Sequence, residues 1–125
     1  ALMRDPNLAG AIMTAVVDAV DVPVALKMRL GWDNDSLNAP QLAKMAENAG
    51  IKMLAIHGRT RCQMYNGAAD WEKISDVVTA VDIPVVANGD ITCLDTVQKA
   101  IEQSGAAGVM IGRGAQGRRY AEQSN

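Results

Sequence analysis

Phenylalanine is absent from this chain of 125 residues, and aromatic side chains make up only 3% of it. A surface that stacks bases needs aromatic platforms, so a single-strand nucleic-acid binder of that kind is excluded. Charge of one sign is lacking too: 12 Lys and Arg stand against 14 Asp and Glu, a formal net charge of −2. No overall field recruits nucleic acid, and any RNA contact requires a local basic patch. There is one histidine, and the two cysteines, Cys62 and Cys93, form no C-x-x-C pair. No zinc spacing results, and free thiols in a reducing compartment are the expectation. No apolar run approaches the length of a membrane span, and the chain does not open on a basic segment followed by an apolar one. These absences give the expectation of a cytoplasmic, soluble domain without membrane contact.

What is present is one unit, repeated. Residues from about Pro6 to Val20 read as a helix: Asp5 caps it, Pro6 suits its first turn, and Leu8, Ile12, Ala15, Val16 and Ala19 fall on one face, the expected core face. Val22 to Arg29 is an apolar strand whose end carries the cations Lys27 and Arg29. Asn38-Ala39-Pro40 opens a second helix with Leu42, Met45, Ala46 and Ala49 inward, and Gly50 closes it. Lys52 to His57 is the second strand, and a polar loop through Gly67 leads to Asp70. The third helix carries Ile74, Val77, Val78 and Val81 at helical spacing. Ile83 to Ala87 is the third strand. The fourth helix runs from about Thr92 with Leu94, Val97 and Ile101, and Ala107 to Ile111 is the fourth strand, with a last helical stretch from Gly114.

The order is a βα repeat on a single domain, residues 1–125, and right-handed crossovers make its four strands parallel. All-apolar strands suit a sheet covered by helices. A doubly wound sheet is one arrangement. Even spacing, with a polar residue ending every strand, fits part of a (β/α)8 barrel better, whose working face is built at the C-terminal ends of its strands. A whole barrel takes about 250 residues. The expectation is α/β, half of a TIM barrel.

Those strand ends carry the candidate site: Lys27 and Arg29, then His57 and Arg59, then Asn88, Gly89 and Asp90, then Gly112 and Arg113. Each has a plain structural reading, as a solvated lysine, a satisfied histidine or ordinary turn residues. Their recurrence at one structural level favours a site. Between Ile83 and Arg113, two successive strands run into a glycine beside a polar residue and then a helix start. Glycine lets backbone N–H groups approach a ligand, and helix N-termini favour anions, so a phosphate-bearing ligand is the expected occupant.

Four segments in order, L-K-M-R-L-G-W, I-H-G-R-T-R, V-A-N-G-D-I and M-I-G-R-G-A-Q-G-R, resemble the tRNA-dihydrouridine synthase family, in its bacterial nitrogen-regulation-like branch. The similarity runs from Ala1 to about Arg118. It implies an FMN-binding barrel, here its fifth to eighth strands, which in the family is followed by a helical domain that grips tRNA. It also implies NADPH as reductant and reduction of the C5–C6 bond of uridines in tRNA. By the same resemblance Lys27 reaches the flavin, His57 lies near the cofactor, and Asn88, Gly89 and Asp90 form a phosphate grip with Gly112 and Arg113. Arg59 and Arg61 become candidates for RNA backbone contact, with solvated surface arginines as the alternative.

Departures from the family pattern set a second expectation. The family's catalytic cysteine would precede Ala1, and neither Cys62 nor Cys93 stands at its position. The G-R-P-W continuation is replaced by Gly117-Arg118-Arg119-Tyr120, and a chain without the helical RNA-binding domain is the expectation. The alternative to a flavoenzyme fragment is a non-catalytic, self-associating half barrel that binds a phosphate-bearing ligand weakly or not at all. Four parallel strands leave two unpaired edges, so a homodimer or larger homo-oligomer is expected.

Overall fold

The computed structural model describes residues 5–31, 37–60, 62–63 and 67–111. Its elements follow the repeat: α1 (Pro6–Ala19), β1 (Ala25–Arg29), α2 (Ala39–Ala49), β2 (Met53–His57), α3 (Trp71–Ala80), β3 (Val85–Asn88), α4 (Leu94–Ser104) and β4 (Gly108–Met110). The helical stretch expected from Gly114 lies outside the described residues. Helix ends carry cap chemistry, read from the sequence at Asp5 and Gly50 and seen also at Asp70 and Gly105. The Asp5 and Asp70 side chains accept from the Leu8 and Lys73 amides, and Gly50 and Gly105 close α2 and α4 in the left-handed region. Strands β1 and β3 begin later than expected, after Pro23 and Pro84. Proline has no N–H to give a ladder, and these segments enter through the carbonyls of Val24 and Pro84, which accept from Lys52 and Leu54.

All four strands are parallel and lie in the order β1-β2-β3-β4. Right-handed crossovers between sequential neighbours place every helix on the same side, and α1 packs on α2, α2 on α3 and α3 on α4. Among the described residues the order never reverses, so they hold no topological switch point, the place where a doubly wound sheet holds its ligand. That excludes the doubly wound alternative even though the run Gly112-Arg113-Gly114-Ala115-Gln116-Gly117, outside the described residues, has the G-x-G-x-x-G spacing. The four units are half of a (β/α)8 barrel.

The core lies between sheet and helices. Leu54 and Ile56 of β2 and Ile74 and Val77 of α3 are fully buried, with Met28, Val85 and Ala87 beside them. Two expected helix faces are overturned here: on α4, Leu94 and Ile101 are 75% and 40% exposed while Ala100 and Ser104 are buried, and α1 differs as well. Leu8, Ile12 and Val16 do not face the core; they are 49%, 41% and 44% exposed, and Ala15 and Ala19 are exposed with them. The inward face is Ala9 and Met13, with Val17 packed against the core, about 100° further round the helix. Gly10 lies against α2, where a Cβ would come 2.8 Å from Met45 Cε, and on that side the helix buries Ala9 and Met13. A longer stripe, Leu8 to Val20, is left outside.

Candidate functional site

Strand register assembles the site. Arg29 pairs with His57, His57 with Asn88 and Asn88 with Met110, so these four form one rung across the sheet. Two residues earlier, Lys27, Ala55, Val86 and Gly108 form another. Alternation sends both rungs to one face, and the rung between them, Met28, Ile56, Ala87 and Val109, faces the helices. Lys27, Arg29, His57 and Asn88 therefore share the helix-free face at the C-terminal end of the sheet. Neighbouring strands lie about 4.8 Å apart, so adjacent members of a rung can touch one ligand.

His57 is buried, 9% exposed, with its ring against the bend after β3. A Cβ on Gly89 would lie 3.1 Å from His57 Cε1. Burial, then the nearby cations Arg29 and Arg59, with a smaller effect from Lys27, push the imidazole down to about 4, against an opposing pull from Asp90. The ring is neutral at pH 7, one nitrogen donating and the other accepting. Lys27 is exposed, and no carboxylate among the described residues forms an ion pair with it. Arg29 is half-buried and donates to the Thr60 carbonyl at 3.2 Å.

The 88–90 turn is tied internally. Asn88 Oδ1 accepts from the Gly89 amide at 2.7 Å, so that amide, expected in a phosphate grip, is already paired. The Asn88 amide nitrogen reaches the Met110 sulfur at 3.6 Å, and the Asn88 carbonyl accepts from Gly58. Gly89 has φ 104° and Asp90 φ 58°, so two successive residues lie in the left-handed half of backbone space.

Arg59 is placed differently from both sequence readings. It is neither a solvated arginine nor one presented to a phosphodiester: its side chain is 5% exposed and turned into the loop. Nε and Nη2 donate to the Gly67 carbonyl, and Nη2 also meets Asp90 Oδ1 at 2.6 Å. The second Asp90 oxygen accepts from the Ala69 amide at 2.7 Å. Burial alone would raise the Asp90 carboxyl, but the Ala69 amide and the Arg59 guanidinium outweigh it and hold the group below its ordinary range. Both carboxylate oxygens are thus engaged within the protein. Arg61, Gly112 and Arg113 lie outside the described residues.

Two participants went unread in the sequence. Trp71 donates its indole N–H to the Gly89 carbonyl at 2.7 Å. Its signal was available: one of two tryptophans, at the first helical position after the Asp70 cap. Met110 ends the rung at Asn88 and carried no polar signal. Among the described residues no helix is long and apolar enough to cross a membrane.

Comparison with known proteins gives the same frame. Among solved structures, an M276A mutant of FabK from Thermotoga maritima superposes with a TM-score of 0.50 over 87% of this chain and 50% of that one, at 18% identity. A mandelate oxidase superposes at 0.50 over 81% of this chain and 41% of that one, at 22% identity. At such identities the likeness concerns the fold alone. Sequence relatives are much nearer. A probable tRNA-dihydrouridine synthase of Rhodobacter capsulatus is 63% identical over 117 residues, and one of Rickettsia bellii 58% over 118. The tRNA-dihydrouridine synthase B of Pseudomonas aeruginosa is 54% identical over 118 residues. The match covers 94% of this chain but 36% of each of these relatives, so the chain spans about a third of their length. The dihydrouridine synthase family model matches residues 1–121, nearly the whole chain, and the chain belongs to that family.

Proposed function

We propose that this half barrel carries part of the FMN site of a flavin-dependent tRNA-dihydrouridine synthase, an enzyme that uses NADPH to reduce uridines in tRNA in the cytoplasm. The observation that carries the reading is the register that sets Lys27, Arg29, His57 and Asn88 on one helix-free face at the strand ends. The donor set suits the cofactor. Lys27 and Arg29 bring positive charge to a group that is anionic at its phosphate and, when reduced, at its ring. Neutral His57 and Asn88 offer hydrogen bonds without competing charge. Asp90 would repel an anion, but Arg59 pairs with it and cancels its field. When bound, FMN supplies hydride transfer; the chain's residues hold it and tune the charge around it.

Titration of the chain with FMN, followed by flavin fluorescence and visible absorbance, tests this reading. Saturable binding is expected. Lys27→Ala should weaken it about tenfold, near the low end of the ~1.5–3 kcal/mol typical of hydrogen bonds to charged groups because Lys27 is exposed. No binding by the wild-type chain refutes the reading and leaves the non-catalytic, self-associating half barrel. That second reading is favoured by one observation, the apolar stripe along α1, and includes association of two copies.

A further inference from the structure

The loop after β2 with the first residue of α3, and the turn after β3, are joined by four hydrogen-bonding contacts, each between residues far apart in sequence. Gly58 N–H donates to the Asn88 carbonyl at 3.0 Å. Arg59 meets Asp90 while also holding the Gly67 carbonyl. The Ala69 amide donates to the other Asp90 oxygen, and the Trp71 indole donates to the Gly89 carbonyl. All four act on three residues, 88 to 90, whose backbone is the least ordinary in the described chain. Asp90, at φ 58°, is its one non-glycine residue with positive φ, and Gly89, at φ 104°, precedes it. Such a conformation persists only where the surroundings over-determine it.

The turn has no slack. A Cβ on Gly89 would stand 3.0 Å from Ala69 Cβ and 3.1 Å from His57 Cε1, so the backbone of residue 89 fits between the loop and the imidazole. Whatever fixes Gly89 therefore fixes one wall around the His57 ring. Trp71 holds Gly89 through its carbonyl, and Arg59 with Ala69 holds the next residue through its carboxylate. None of these three side chains or amides belongs to the rung that faces a ligand.

We propose that Trp71 and the Arg59–Asp90 ion pair are positioning residues, which preset the 88–90 turn against His57 so that this wall of the site is built before a ligand arrives. The assignment deepens the FMN reading and rests on it for its purpose, while the geometry concerns the ligand-free chain. It also reassigns Asp90 and Arg59: neither touches the ligand, and both act through Gly89. A site preset in this way avoids the ordering cost of binding.

The chain has a single histidine, so its ring resonances in a nuclear magnetic resonance spectrum need no assignment among rivals. Trp71→Phe keeps an aromatic ring and removes the one donor, and Asp90→Asn keeps the shape and removes the charge. In the wild-type chain without ligand, one sharp His57 Cε1–H signal is expected. Both variants should shift or broaden it at pH 7; with Trp71→Phe the melting temperature stays near wild type, a response that loss of general stability does not produce, whereas Asp90→Asn, which leaves the buried Arg59 guanidinium without its counter-ion, should melt lower. Each should also weaken FMN binding by roughly tenfold, the equivalent of one lost hydrogen bond at the upper end of the usual range. A folded variant of either kind that leaves the His57 signal as in wild type overturns the proposal, and Trp71→Phe decides alone where Asp90→Asn does not fold. Absence of FMN binding by wild type refutes the flavin reading instead, and the His57 signal still decides the positioning role.

Discussion

At the scale of the residue, His57 couples the site to stability. Its imidazole is buried among Lys27, Arg29 and Arg59, with Asp90 the one nearby group that favours its charge. The unfolded chain takes up this proton near pH 6.5, and the folded chain resists it until about pH 4. Between those values the unfolded state binds more protons, so stability rises with pH across the window. The contribution is complete above about pH 6.5 and is lost as pH falls toward 4, on the order of 1–3 kcal/mol. Denaturant melts at fixed pH should show wild type losing this component between pH 7 and 4, and His57→Gln should lack it. Parallel pH profiles for the two proteins would show that the ring is not held neutral by its surroundings. The polar strand ends themselves were legible, because a period of two fixes which residues share a face. Arg59 was not: its partner Asp90 lies 31 residues away, and nothing local distinguishes an arginine that enters an ion pair from one that meets solvent.

At the scale of the element, the caps at Asp5 and Gly50 were read correctly, and the inward faces of α1 and α4 were not. Asp5, Asp70, Gly50 and Gly105 act within a few residues of their own position, so sequence suffices for them. Helix α1 instead carries two apolar stripes side by side, Leu8-Ile12-Val16 and Ala9-Met13-Val17, and periodicity cannot rank them. The choice depends on a neighbour distant in sequence: α1 packs on α2, with Gly10 against Met45. The two stripes should respond differently to substitution. Met13→Ala removes a buried side chain and should cost about 2–4 kcal/mol, as for large-to-small changes in a core. Ile12→Gln, on the exposed stripe, should stay within about 0.5 kcal/mol of wild type at a chain concentration low enough that both are monomeric, as surface changes do. Urea denaturation of both variants measures the contrast, and equal losses would return Ile12 to the core.

At the scale of the whole molecule, the sheet order leaves β1 and β4 each paired on one side only among the described residues. Both flanks are apolar. On α1 and in the segment leading to β1 stand the exposed Leu8, Ile12, Val16, Val20 and Val22, the last 67% exposed, and on α4 stand Leu94, 75% exposed, and Ile101. Exposed apolar side chains on the two outermost helices, in a sheet with unpaired edge strands, mark a candidate interaction surface. A twofold axis along the half barrel would bring β1 of one copy beside β4 of the other at both junctions, keep every strand parallel, and lay α1 against the partner's α4. Heterologous flanks thus close after two copies, without an open chain of subunits. The 125-residue chain should therefore sediment as a dimer or larger at micromolar concentration. The pair Ile12→Gln with Val16→Gln should move it toward monomer while leaving its helical circular dichroism unchanged, because neither side chain supports the fold of one copy. A compact wild-type monomer under the same conditions would remove self-association from the account, and the FMN reading would stand or fall on its own titration.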